Sequence, residues 1–258
     1  MIDHNKIIQL IRTASNLVMS YYNQKVNIKY KADQSVVSEV DEKSHHLICK
    51  GLIELTPHIP IISEECQDHH AIDHKALKDF WLIDPLDGTE GFLKGNNHFT
   101  INIAFMQNQR PKYGFIIIPS SGDLYYNDDH NAYWIDAQEN QTVIETRNVS
   151  IEGYEALMSS RVKQRTLDQL NALKIKSVRK IGSALKFCHI AAGQADIYYR
   201  HGTTMEWDTA AGDAILAKAG GSLTNPDGTT FTYCKAGFKN GPFVAHGGKN
   251  IVLIPYAE

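Results

Sequence analysis

The sequence predicts a layered chain, α+β in its first half and α/β in its second. Three observations carry that expectation. Two amphipathic helical segments open the chain, short strands with tight turns fill the middle, and strands alternate with helices from about residue 156 onward. With 258 residues and 43% hydrophobic content, the chain can bury a large core. The expected division is into two closely packed subdomains, 1–148 and 149–258, with a soft boundary near Asn148.

Ile7, Ile11, Ala14, Val18 and Tyr21 recur at helical spacing and define the first amphipathic helix. A polar turn at Ala32-Asp-Gln-Ser35 follows. Ser38-Glu-Val-Asp41 then has the pattern of a capping box, and Val40, Leu47, Ile48, Leu52 and Leu55 continue a second helix that Pro57 and Pro60 end. Ile61 and Ile62 form a short buried strand leading into Ser63-Glu-Glu65, and the histidine-rich stretch from Gln67 to Lys78 reads as a loop or short helix. Phe80 to Ile83 is a buried strand, which Pro85 is expected to stop because it has no amide to donate.

Phe99 to Phe105, Tyr113 to Ile118, Leu124 to Tyr126 and Ala132 to Ile135 read as strands of an antiparallel sheet, the last two joined as a hairpin through Asn127 to Asn131. In the second half, strands are expected at 156–159, 177–180 and 195–199. Helices are expected at 166–173, 183–192 and 209–219, the last alanine-rich and stopped by Gly220-Gly221.

Composition excludes several function classes. A formal charge of −3 without a basic run argues against binding a nucleic acid polymer. No apolar run reaches the length of a membrane span, and the polar N-terminus does not read as a signal peptide. Cys49, Cys66, Cys188 and Cys234 form no C-x-x-C pair and read as reduced thiols of a cytoplasmic protein. There is no phosphate-binding P-loop, dinucleotide fingerprint or nucleophile elbow. His70 and His74, or His45 and His46, could hold zinc only with a further ligand that the spacing does not supply, so a solvated polar stretch is the better reading of His69, His70 and His74.

The chemistry concentrates in carboxylates at element ends. Asp84 and Asp87 end the Phe80–Ile83 strand and are followed by Gly88 and Thr89; Glu64 ends the preceding strand; Asp208 begins the alanine-rich helix. Unpaired buried carboxylates are costly, and hard oxygen ligands grouped in this way suit magnesium, which bridges carboxylates to phosphate. Each has a plainer explanation. Asp84 and Asp87 could belong to an acidic turn, Asp208 could be a helix N-cap, and Asp41 could simply close its capping box. As a set, none with an obvious basic partner nearby in sequence, they point to one site.

Ser63-Glu-Glu65, Asp84-Pro-Leu-Asp-Gly-Thr89 and Trp207-Asp-Thr-Ala-Ala-Gly212, in this order, resemble the magnesium-dependent, lithium-sensitive phosphatase superfamily that includes inositol monophosphatase. Within it, Gly182-Ser-Ala-Leu-Lys-Phe-Cys188 and Phe99-Thr-Ile-Asn-Ile-Ala104 resemble the bacterial 3'(2'),5'-bisphosphate nucleotidases, and the similarity runs from about Lys31 to Gly221. The resemblance implies an α-β-α-β-α sandwich of the sugar-phosphatase type and two or three Mg2+ ions. It implies Glu64, Asp84, Asp87, Asp208 and the Leu86 carbonyl as metal ligands, and Asp41, Glu64 and Thr89 as catalytic residues around the attacking water. Substrate contacts would come from Glu64, Leu86, Asp87, Gly88, Thr89, Glu90, Ser183, Lys186 and Asp208. Without the resemblance, Lys186 reads as a solvated helix lysine and Ser183 as the N-cap of that helix.

The implied reaction is hydrolysis of the 3'-phosphate of 3'-phosphoadenosine 5'-phosphate (PAP), with the sulfated precursor PAPS as a further substrate. The alternatives are an inositol or sugar phosphatase and a non-catalytic phosphometabolite-binding regulator. The partner is a small phosphorylated nucleotide; monomer and homodimer both stay open. The location is cytoplasmic, with peripheral association at the inner face of the inner membrane implied by the resemblance. The chain departs from the subfamily at Glu90-Gly91, at Gly202-Thr-Thr204 and at Ser160-Arg-Val-Lys163, where a nucleotide-contacting histidine is absent or replaced. No departure touches a metal ligand.

Overall fold

The computed structural model describes residues 2–30, 36–66, 76–160, 162 and 164–248. The polar turn at 32–35 and His69, His70 and His74 lie outside them. Helix α1 (His4–Ser20) is followed by a two-stranded ribbon of β1 (Ile28–Tyr30) and β2 (Val36–Ser38), then by α2 (Glu39–Leu55). Strands β3 (Ile61–Ser63) and β4 (Asp79–Asp87), a short helix α3 (Thr89–Leu93), β5 (Thr100–Gln107), β6 (Arg110–Ile117), β7 (Leu124–Asn127), β8 (Ala132–Ile135) and β9 (Gln141–Ile144) follow.

Among the described residues, β3 to β9 form one seven-stranded sheet in sequence order, parallel at β3–β4 and antiparallel elsewhere. The second half contributes β10 (Tyr154–Met158), α4 (Gln164–Asn171), β11 (Ile175–Lys180), α5 (Leu185–Ala191), β12 (Ile197–Arg200), β13 (Thr204–Met205), α6 (Ala210–Lys218), β14 (Ser222–Thr224), β15 (Lys239–Asn240) and β16 (Phe243–His246). Five of these strands form a mixed sheet ordered β11-β10-β12-β16-β14. The ribbons β1–β2 and β13–β15, strand β9 and the C-terminal strands carry too short a pattern to stand out in sequence.

Side-chain alternation sorts these elements into five layers. One face of the large sheet, with Trp81, Ile83, Ile101, Ile103 and Phe115, buries the apolar stripes of α1 and α2: Ile7, Ile11, Ala14 and Val18, and Val40, Ile48 and Leu52. The other face, with Phe80, Leu82, Ala104, Met106 and Ile116, packs on α5 and α6. Those helices are covered on their far side by Leu157, Tyr198, Leu223, Phe243 and Ala245 of the small sheet. The outer face of that sheet, with Ala156, Met158, Ile197, Tyr199 and Val244, takes Leu170 of α4. The arrangement is the α-β-α-β-α sandwich that the sequence implied.

Helix α6 is buried nearly all round because it lies between two sheets. Its alanines allow close approach, and so does Gly114 on β6. A Cβ at Gly114 would stand 2.1 Å from the Ala211 carbonyl oxygen.

Three expectations are corrected. Strand β4 does not stop at Pro85 but runs on to Asp87. Asp84 pairs with Asn102 and Asp87 with Thr100, so two residues of β4 face one of β5, a β-bulge. Pro85 sits inside the bulge, where no ladder amide is needed. Asp208 is not the N-cap of the alanine-rich helix. It ends a separate 3-10 turn, Glu206–Asp208, and the cap of α6 is Thr209. Ser183 does not cap α5 either, since that position belongs to Ala184.

Candidate metal centre and its surroundings

The parallel pair β3–β4 brings two carboxylates to one edge. Glu64 directly follows β3, and its amide donates to the Ile83 carbonyl (3.1 Å), which fixes the exit of β3 beside β4. Asp84 stands on β4, and its Oδ1 accepts the Leu86 amide across the bulge (3.0 Å). The 3-10 turn that packs against β4 and β5 delivers Asp208, whose Oδ2 accepts the Met205 amide (2.8 Å). Among the described residues, Glu64, Asp84 and Asp208 each offer an oxygen within 4.8 Å of the others.

Asp87 lies beside this group, and its Oδ2 accepts the Ala184 amide at the head of α5 (2.6 Å). Gly88 then takes φ 96°, a left-handed turn that glycine adopts without strain, and opens α3 with Thr89 as its first residue. Glu90 follows with an exposed side chain, 3.4 Å from the Lys94 ammonium.

Asp41 uses its two oxygens differently. Oδ2 accepts the Ser38 amide (2.9 Å) and closes the capping box of α2, as the sequence predicts. Oδ1 accepts the Thr89 hydroxyl (2.7 Å), which also lies 3.2 Å from the Leu86 carbonyl. Capping and a place in the site therefore belong to one residue.

The electrostatics are those of carboxylates crowded together away from water. Burial, with Glu64, Asp87 and Asp208 nearby, pushes the Asp84 carboxyl well above the usual carboxylate range. Burial with Asp87 and Glu64 does the same to Asp208. Burial also raises Asp87, opposed by the Lys186 ammonium. Asp41 is raised by burial and held back by its bonds from Ser38 and Thr89. A divalent cation removes this penalty, and hard carboxylate oxygens so close together fit Mg2+.

Lys186 is not the solvated lysine its sequence position suggests. It is buried, its ammonium donates to the carbonyls of Ile181 (3.1 Å) and Ser183 (2.6 Å), and it lies over the Tyr198 ring. Burial lowers its pKa to about 8, partly offset by Asp87. With Asp87, Ser183, Arg200 and Asp208 it lines a hollow of about 110 Å³. A second hollow of about 210 Å³, lined by Val162, Thr166, Tyr199 and His201, adjoins it through Ser159 and Arg200.

Sequence reasoning missed Arg200. Its guanidinium donates to Ser159 Oγ (2.8 Å) from the end of β12, and it is among the charges that favour ionised Asp87 and Asp208. The only available signal was an arginine closing an apolar strand. His45 and His46 form no metal set among the described residues; their Nδ1 atoms meet the Ser63 hydroxyl (2.9 Å) and the Glu42 carbonyl (2.5 Å).

Known proteins resemble this chain along nearly its whole length. The profile of the inositol monophosphatase family matches residues 4–250. A 3'(2'),5'-bisphosphate nucleotidase CysQ from Buchnera aphidicola is 36% identical over 250 residues, covering 93% of this chain and 92% of that protein. The protein of the same name from Salmonella typhimurium is 35% identical, over 88% of this chain and 92% of its own. Among solved structures, CysQ from Bacteroides thetaiotaomicron superposes with a TM-score of 0.79 at 28% identity, over 95% and 97% of the two chains. An IMPase from Thermotoga maritima gives 0.78 at 26% identity, over 93% and 90%. The carboxylate group, the five-layer fold and similarity along nearly the whole sequence agree: the chain belongs to the inositol monophosphatase family.

Proposed function

We propose that the protein is a magnesium-dependent phosphomonoesterase that removes the 3'-phosphate of PAP, giving AMP and phosphate, and that PAPS is a further substrate. The observation that carries this reading is the Glu64–Asp84–Asp208 group, with Asp84 buried and the other two half-buried, lying beside a hollow that also presents Lys186 and Arg200. A single phosphate needs only the metal end. The two cations suit a second phosphate on the same small molecule. The CysQ relatives, whose name is that of a bisphosphate nucleotidase, support the same choice.

In this reading Glu64, Asp84, Asp87, Asp208 and the Leu86 carbonyl hold two or three Mg2+ ions. Bound there, the ions acidify water and offset charge on the phosphate and on the leaving oxygen. The remaining steps belong to the chain. Asp41 accepts the Thr89 hydroxyl hydrogen, which turns a lone pair of Thr89 toward an incoming water and gives its proton a path to the carboxylate. Backbone groups of Gly88, Thr89 and Glu90 face the phosphate. Ser183, Lys186 and Arg200 orient the nucleotide so that its ester lies at the metal end.

The test is phosphate release from PAP and from inositol 1-phosphate, side by side, in Mg2+ and in EDTA. Mg2+-dependent release chiefly from PAP is the expected result. Release chiefly from the inositol ester would keep the metal chemistry and overturn the substrate; nucleotide binding without turnover would overturn the enzyme reading.

A further inference from the structure

The pairing of β4 with β5 sets two polar side chains against the acidic group, and the scheme above gives neither of them a task. Asn102 lies directly opposite Asp84, and Thr100 lies opposite Asp87. Directly paired residues share a face of the sheet. Asp84 and Asp87 are three residues apart and would ordinarily face opposite ways; the extra residue of the bulge returns them to one side. Along that side the sheet is apolar at Phe80, Leu82, Ala104 and Met106, then turns polar at Asp84, Asn102 and Thr100.

Both side chains are deeply buried, Thr100 at 0% and Asn102 at 1% exposure. Thr100 Oγ1 and Asn102 Oδ1 close no hydrogen bond within the protein, while the Asn102 amide group reaches Asp87. Buried polar atoms rarely go unpaired, and an apolar residue at either position would fill the strand without the penalty. Two such residues side by side therefore point to a partner from outside the chain. That partner must donate hydrogens to Oγ1 and Oδ1 while lying within reach of the carboxylates.

We propose that Thr100 and Asn102 form an outer coordination shell for the divalent cation of the Glu64–Asp84–Asp208 group, accepting hydrogen bonds from the water the ion retains. Mg2+ gives up its water reluctantly and keeps several molecules when protein ligands bind it, so acceptors just beyond the carboxylates hold the hydrated ion in place. The two residues are positioning residues that act through the ion. The inference rests on the reading of this group as a metal centre.

The experiment is Mg2+ titration by calorimetry of the full chain, stripped with chelator, together with thermal melting of the metal-free protein. The variants are Thr100→Val and Asn102→Leu, which keep bulk and remove the polar atoms, and Thr100→Ser, which keeps the hydroxyl. The expected result is a loss of Mg2+ affinity of about tenfold to a hundredfold for the first two and little change for Thr100→Ser. The metal-free melting temperatures of the first two should equal or exceed that of the wild type, because unpaired buried atoms have been removed. A purely structural role would give the reverse pattern: lower metal-free melting with unchanged affinity. Wild-type binding with unaltered affinity in both apolar variants would overturn this proposal alone. A wild type that takes up no Mg2+ would overturn the metal centre and the proposal together. If Asn102→Leu does not fold, Thr100→Val alone decides.

Discussion

Asp41 shows that one residue can satisfy two readings of its place in sequence. Its spacing from Ser38 announces a capping box, and the box is there, yet the other carboxylate oxygen carries the Thr89 hydroxyl. Thr89→Val keeps the shape of the side chain and removes that link. In steady-state kinetics on PAP, kcat should fall about 10²- to 10⁴-fold with KM little changed, the signature of a group that handles a proton. A rise in KM with kcat unchanged would instead make Thr89 a binding residue. The carboxylate group was legible because acidic residues at strand ends are conspicuous. Arg200, Thr100 and Asn102 were not. Arg200 closes a strand of ordinary appearance, and the alternation Thr-Ile-Asn-Ile reads as a strand with one wet face, whereas both faces of β5 are covered.

At the scale of elements, the long helices and most strands of the large sheet followed from periodicity, because each has a stripe or face that must be buried. Element ends were harder. The continuation of β4 through Pro85 depends on a bulge that only the register with β5 reveals. The break between the 3-10 turn and α6 depends on packing against β4 and β5. The closest contact in this region is Gly114 under α6, where an added Cβ would meet the Ala211 carbonyl oxygen at 2.1 Å. Backbone cannot yield there as a flexible side chain would. Gly114→Ala should therefore cost about 1–3 kcal/mol in denaturant unfolding. Because α6 follows directly on the Asp208 turn, its displacement should also weaken Mg2+ binding. Undisturbed stability and Mg2+ affinity would show that the sheet can give way instead.

At the scale of the molecule, the two halves meet in a single core spanning both sheets, and titratable groups are buried there with little compensation. Asp213 on α6 is the clearest case. Burial raises its pKa from 3.8 to about 6, although Arg110 opposes the shift and the Tyr233 hydroxyl donates to it (3.0 Å). The folded state thus holds a proton that the unfolded state releases between those pH values. Stability contributed by this group is full below 3.8, falls as pH rises toward about 6 and is lost above it. The loss is on the order of 3 kcal/mol. Asp213→Asn should accordingly melt higher than the wild type at pH 8, with the difference closing by pH 4. Parallel melting curves across that range would show that Asp213 keeps its charge in the fold at no cost.

The carboxylates Glu64, Asp84 and Asp87 come from the large sheet and its edge, whereas Ser159, Ser183, Lys186 and Arg200 come from the small sheet and α5. The Ala184 amide at the head of α5 donates to Asp87 across the seam between them. Substitutions that retune the choice of ester can therefore accumulate in the second set while Glu64, Asp84 and Asp87 are left unaltered, with the Asp208 turn as the element that must serve both sides. Such a scaffold can change its diet without relearning how to digest.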